Sequence, residues 1–282
     1  MNLYYFKDKN GNFGDDLNEW LWPKIFKTGY DNYFDDETLF IGIGSILDEN
    51  VPDFKRKVIL GSGYAYSSPP KVDSDWSFYS VRGPLTAQIL GLNNDIAITD
   101  SAIISTPFLD QFQSNRTSVS FMPHHRHTHL PWSKLCEELD ILYIDPCDGV
   151  ESCLSKIGKS KVIITEAMHG AIIADCMRIP WIPIKSSQAI NDFKWKDWTL
   201  SMEVDFHFTS VSQPITNRYT YGAIGLAREI KNLLTCRLRL AYLKKYGTPY
   251  LSKESVFNNR LILSNDALNS LISSGKSYEK KN

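Results

Sequence analysis

The stretch Val162-Ile163-Ile164-Thr165-Glu166-Ala167-Met168-His169-Gly170-Ala171-Ile172-Ile173-Ala174-Asp175-Cys176 decides how the chain is read. Its β-branched opening predicts a buried strand over Lys161 to Thr165, and the Ala- and Ile-rich segment that follows predicts a helix over Ala171 to Arg178. A Glu, a His and a Gly therefore sit where a strand hands over to a helix. Backbone N–H groups are unpaired at a helix N-terminus and the macrodipole is positive there, so a phosphate or carboxylate is stabilised at that point. His169 is placed to touch such an anion and to exchange a proton near neutral pH. Gly170 permits close backbone approach. The competing reading makes His169 a first-turn histidine bonded to a neighbour.

Outward from this unit the same pattern recurs: an apolar run, a polar or glycine-rich turn, then an amphipathic segment. Strands are predicted over Leu3 to Phe6, Thr38 to Ile43, Lys57 to Leu60, Trp76 to Val81, Ile96 to Thr99, Val119 to Met122, Ile141 to Ile144 and Trp181 to Ile184. Helices are predicted over Leu17 to Phe26, Pro84 to Leu90, Trp132 to Leu139 and around Cys153 to Ile157, with Gly11 to Asp16 as a loop. Pro84 suits a first helical turn and Gly91 a stop. Gln111 to Thr117 lacks apolar periodicity and reads as a linker. After Tyr219 the pattern is helical only, from Tyr221 to Tyr246 and again from Asn265 to Ile272, with a polar tail from Ser274. Strand–helix alternation on both sides of a linker predicts an α/β chain of two Rossmann-like domains facing across a cleft, residues 1–115 and 116–215, followed by C-terminal helices, 216–282.

The polar and glycine clusters fall just after predicted strands, the edge where open parallel sheets bind ligands. Arg82, before Gly83-Pro84, can clamp a carboxylate or phosphate with two parallel bonds, or sit on the surface paired with a nearby acid. His124 and His125 end a strand, so their side chains are expected on opposite faces with one at most turned to the cleft; Arg126, His127 and His129 follow, and a metal site is not expected. Asp15 and Asp16, after Gly14, can orient a hydroxyl, act as a base or cap a helix. Gly44 and Ser45 close one glycine turn. Gly61-Ser62-Gly63 does not complete a dinucleotide fingerprint, because Tyr64, Ala65 and Tyr66 follow.

Composition bounds the rest. The 282 residues carry Lys plus Arg 31 against Asp plus Glu 32, a net charge of -1, which gives no footprint for sequence-independent nucleic-acid binding. The five cysteines include no C-x-x-C pair, which favours reduced thiols in a cytosolic protein, with Cys176 as core packing. The opening Met-Asn-Leu-Tyr-Tyr-Phe-Lys-Asp does not read as a signal peptide, and no apolar run approaches the ~20 residues of a membrane span. Lys231 to Gly247 holds Lys231, Arg237, Arg239, Lys244 and Lys245 with no acid, interleaved with leucines. Such a segment can rest on an anionic membrane or pack as a helix with a solvated basic face. The seven Trp suit sugar stacking and cores equally.

Asn12-Phe13-Gly14-Asp15-Asp16-Leu17, Gly42-Ile43-Gly44-Ser45, Arg82-Gly83-Pro84-Leu85-Thr86-Ala87, Pro123-His124-His125 and His169-Gly170-Ala171, in that order, resemble the polysaccharide pyruvyl transferase family. The variant Glu166-Ala167-Met168-His169 is similar to the branch that includes succinoglycan-type ketal-forming proteins. The resemblance implies a glycosyltransferase-B-like fold, with the first domain on the acceptor side and the second on the donor side. It implies transfer of pyruvate from phosphoenolpyruvate to two hydroxyls of a sugar in a lipid-linked oligosaccharide or glycan precursor, giving a ketal and phosphate, without a cofactor. His169 would then be the acid or phosphate group, Asp16 or Glu166 the base, and Arg82 the anion clamp. His124, His125, Arg126, Gly14, Asp15, Gly44, Ser45, Gly63 and Gly170 would line the substrates. Family members commonly carry Arg two residues before the His; here Ala167 stands there, so that anion clamp is either missing or supplied elsewhere, by Arg82, Arg126 or Lys185. The place of action would be the cytoplasm, or the inner face of the membrane if the segment Lys231 to Gly247 rests there. The alternatives are a sugar-nucleotide glycosyltransferase and a non-catalytic glycan- or anion-binding protein.

Overall fold

The computed structural model describes residues 1–27, 29, 33–214 and 223–279. Two parallel sheets organise them. The first has the order β1-β2-β3-β4, built from Asn2–Tyr4, Thr38–Ile41, Arg56–Leu60 and Trp76–Ser80. The second has the order β6-β5-β7-β8-β9, with β5 Ser118–Met122, β6 Leu142–Tyr143, β7 Ser160–Thr165, β8 Trp181–Lys185 and β9 Thr209–Ser210. Every pairing in both sheets is parallel. The physical cause is legible in β2 and β8, whose unbroken apolar runs are buried on both faces, as parallel strands require.

Eight helices surround the sheets among the described residues: α1 Phe13–Ile25, α2 Pro84–Ile89, α3 Trp132–Glu138, α4 Val150–Gly158, α5 Met168–Cys176, α6 Asp192–Ser201, α7 Ala223–Tyr246 and α8 Glu254–Glu279. The chain is α/β, as expected, with several local differences. Residues 13–16 are not loop but the first turn of α1. Ile96 to Thr99 is not a strand; Asn94–Ile96 is a 3₁₀ turn and Ala97 makes one isolated bridge to Val81. The segment is too short to build a ladder, so its apolar residues pack without one. The helical stretch expected from Tyr221 has its first two residues outside the described ones. The tail from Ser274 continues α8 to Glu279, because α8 packs along its length: Phe257, Leu268 and Leu271 are buried, and Gly275 lies directly on the Tyr33 carbonyl.

The largest hydrophobic cluster draws on both sheets, joining Phe13, Leu17, Trp22 and Phe40 to Met122, Ile163, Ala171, Trp181, Trp195 and Trp198. Trp22, Trp132, Trp181, Trp195 and Trp198 are fully buried, so most of the tryptophan serves the core. The five cysteines are free, and burial raises the Cys176 thiol well above its ordinary range, as core packing predicts.

Candidate active site

Residues that follow strands of both sheets line one cavity of about 400 Å³. Phe6 comes from beyond β1, Ser45 from beyond β2, Tyr66 from beyond β3, His124 to Arg126 from beyond β5, and Ala167 to His169 from beyond β7. Asn12, Gly14 and Asp15 bring the start of α1 to the same space, and Lys194 comes from the first turn of α6.

The start of α5 lines the cavity with Ala167, Met168 and His169. Ala167 is its N-cap, and no side chain caps that turn. The helix begins three residues earlier than expected, which places His169 in the first turn. The His169 ring lies against Gly14 so closely that any side chain there would collide with it. Gly14 therefore brings the α1 N-terminus onto the α5 N-terminus, and two positive helix ends converge. On its other side His169 Nε2 lies 3.5 Å from Asp100 Oδ2. Asp100 is fully buried; its Oδ1 accepts from Ala102 N at 3.0 Å, while its Oδ2 has no hydrogen-bond partner. That free oxygen is aimed at the histidine.

Asp15 and Asp16 part company here. Asp15 lines the cavity and accepts a bond from Asn12 Nδ2. Burial pushes its carboxyl up to about 6, with His169 and Lys194 pulling the other way. Asp16 turns back and accepts from Asn12 N at 2.9 Å, the capping role that sequence left open. It does not line the cavity, so of the pair only Asp15 reaches the cavity wall with His169. Glu166 is also absent from the wall. It is fully buried and accepts from His124 N at 2.9 Å and binds His127 Nδ1 at 2.7 Å, so it holds the histidine loop.

His124 and His125 both face the cavity, contrary to the opposite-face expectation. The strand stops at Met122, and His124 caps a 3₁₀ turn over His125–His127, so strand alternation no longer applies. Their rings pack 4.4 Å apart. Burial lowers both, His124 to about 2 and His125 to about 4, the latter with Asp8 opposing. They present neutral imidazoles at pH 7.

Arg82 does not reach the cavity. It is fully buried, its Nε 3.0 Å from Asp197 Oδ2, with Nη1 on Ser45 Oγ and Nη2 donating to the Tyr64 carbonyl at 2.7 Å. Gly63 packs on the guanidinium with no room for a side chain. Asp197 also accepts from Leu85 N at 2.9 Å, Thr86 N at 3.0 Å and Thr86 Oγ1 at 2.6 Å. The anion expected at the α2 N-terminus is thus the protein's own carboxylate from α6, and Arg82 touches the cavity only through Ser45. Lys185 is taken up by Asp192 at 2.6 Å. Arg126, exposed on the rim, and Lys194, bonded to Tyr66 Oη at 3.3 Å, are the cations of the wall. Gly44, at φ +139, faces Asp15, and Gly170 packs on Met122 Sδ and Thr165 rather than on the cavity.

Sequence reasoning gave no role to Asp100, Lys194, Asp197 or His127. Asp100 and His127 were visible as polar residues after strands; Lys194 and Asp197 carried no local signal.

Fold and cavity together define an α/β protein whose site gathers three histidines, the Asp15 carboxylate and two cations at the carboxyl ends of parallel strands. The chain belongs to the polysaccharide pyruvyl transferase family, whose model matches residues 12–188, and it is a transferase. It is similar to the succinoglycan biosynthesis protein ExoV of Rhizobium meliloti (strain 1021), with 37% identity over 224 residues that cover 77% of this chain and 69% of that protein.

Proposed function

We propose that the protein transfers pyruvate from phosphoenolpyruvate to two hydroxyls of a sugar in a lipid-linked exopolysaccharide precursor, as a cyclic ketal. The architecture we propose is glycosyltransferase-B-like, with Rossmann-like units over 1–115 and 116–215 facing across the cavity and helices over 216–282. The observation that carries the reading is His169 at the uncapped start of α5, beside Asp15 and backed by Asp100. It lies within the segment that matches the family.

In this scheme the two helix N-termini, Arg126 and Lys194 hold the donor's phosphate and carboxylate, a charge set that needs no Arg at Ala167. His169 donates a proton to the methylene carbon. A sugar hydroxyl attacks the adjacent carbon and Asp15 takes its proton, a role suited to a carboxylate raised to about 6. Phosphate leaves, and the second hydroxyl closes the ketal. Of the two hydroxyl protons, one balances the new methyl group and the other departs with phosphate. Asp100 is a positioning residue that holds the orientation of the His169 ring. His124 and His125, held neutral, accept or donate hydrogen bonds to the sugar. The scheme calls for no metal or organic cofactor. Free cysteines fit a reducing cytoplasm.

The test is incubation with phosphoenolpyruvate and a panel of lipid-linked or synthetic oligosaccharides, reading phosphate release together with glycan mass. A gain of one pyruvate ketal, with phosphate released in step, supports the reaction. Phosphate-free nucleotide release from sugar nucleotides, with no ketal, would overturn it.

A further inference from the structure

Helix α7 carries two apolar faces. The inner one, Cys236, Leu240 and Leu243, is buried against the second sheet. On the other side Ile230, Leu234, Leu238, Tyr242 and Tyr246 recur every fourth residue and are 49%, 52%, 69%, 52% and 59% exposed. At roughly 100° per residue, Leu238 lies opposite the buried face. A lone exposed leucine is ordinary, but Leu234, Leu238 and Tyr242, each about 40° from the next, flanked by Ile230 and Tyr246, form a patch that needs a function.

The charges around the stripe decide what it fits. No acid occurs between Lys231 and Gly247. Arg237 and Lys244 are paired with Glu138 and Asp140 at 3.4 and 3.2 Å. Lys231, Arg239 and Lys245 have no acidic side chain within ion-pair distance among the described residues. Tyr242 and Tyr246 pack 5.4 Å apart, with the apolar body and polar tip that suit a bilayer interface. A second copy of the chain fits poorly: an antiparallel contact centred on Leu238 would set Lys231 against the partner copy's Lys245, and a parallel one would set each lysine against itself. No helix among the described residues is long and apolar enough to cross a membrane.

We propose that the outer face of α7 rests on an anionic lipid bilayer, with Leu234, Leu238 and Tyr242 at the headgroup boundary and Lys231, Arg239 and Lys245 on lipid phosphates. This would hold the enzyme beside a lipid-linked acceptor, a consequence that rests on the acceptor reading above. Bilayer binding itself uses none of the cavity residues, so it and pyruvyl transfer can fail separately.

The full chain is sedimented with vesicles of phosphatidylcholine alone, or of equal parts phosphatidylcholine and phosphatidylglycerol. Binding is expected to the anionic vesicles only and to weaken with salt. Leu238→Glu, and separately Lys231→Glu with Lys245→Glu, should each lower it on the order of tenfold or more. Melting temperature and turnover of a soluble acceptor should stay unchanged. No binding to anionic vesicles, or unchanged binding of Leu238→Glu, would overturn the proposal. So would a dimer in gel filtration that Leu238→Glu splits, which would give the face to a second copy.

Discussion

Two helix N-termini in this molecule begin from the same kind of sequence and end in opposite states. Both α2, after Arg82-Gly83-Pro84, and α5, after Glu166-Ala167, follow a strand and offer unpaired N–H groups to an anion. At α2 the anion is Asp197, fully buried itself, which takes two backbone N–H groups, a threonine hydroxyl and the buried Arg82 guanidinium. At α5 no side chain caps the turn, and the cavity lies in front of it. The local signal is an electrostatic demand. Whether the chain meets it internally or leaves it for a ligand depends on what a distant helix brings.

The comparison can be broken first at the open end. His169→Ala should lower turnover by about 10²–10⁴-fold, the usual range for a positioned acid, with the melting temperature unchanged. Asp100→Asn should lower turnover less and displace the alkaline limb of the pH–rate profile, the limb that a general acid sets, which a merely structural residue would not do. Retained turnover in His169→Ala would remove the α5 end from catalysis.

At the closed end the effect should fall on stability instead. Asp197→Ala strands a fully buried guanidinium and uncaps α2, at a cost of roughly 3–5 kcal/mol, read as a shift in denaturant midpoint. Full stability with lost phosphoenolpyruvate binding would show that Arg82 is a ligand residue after all.

The acid–base groups between the two ends should give smaller, opposed effects. Asp15, raised to about 6 when folded, binds more protons in the native than in the unfolded chain between about pH 4 and 6, so its contribution to stability falls as pH rises through that window. Asp15→Asn should therefore lower turnover yet raise stability by about 1–2 kcal/mol at pH 7, and not at pH 4. His124 and His125 act oppositely. Lowered to about 2 and about 4, they stay neutral when folded, so the stability they carry above pH 6.5 is lost on acidification. Their combined shift exceeds that of Asp15, so melting temperature should drop from pH 6.5 to 4.5. His124→Asn should flatten that drop; an unchanged slope would show that His124 is protonated in the native state.

Legibility followed sequence distance. The strands from Thr38 to Trp181, Ile96 to Thr99 excepted, and the His169 junction were readable because each signal is carried by neighbours: an apolar run, a turn, a helix start. The role of Arg82 was not, because its partner Asp197 lies 115 residues away. Asp15 and Asp16 were indistinguishable in sequence. They separate only because α1 starts at Phe13, which turns one into the cavity and the other back onto Asn12. The His124–His125 expectation failed for a local reason, since alternation holds only inside a strand.

By itself, then, the sequence determined the α/β class, the parallel strands and a histidine at a helix N-terminus, since periodicity, burial and the helix dipole act over a few residues. Only the tertiary structure decided which charged groups meet. It set Asp100 and Gly14 on the two sides of His169, gave Asp197 to Arg82 and left Lys194 to the cavity. A lone charged residue has no periodicity to mark it, and its partner is chosen by how the two sheets and their helices pack.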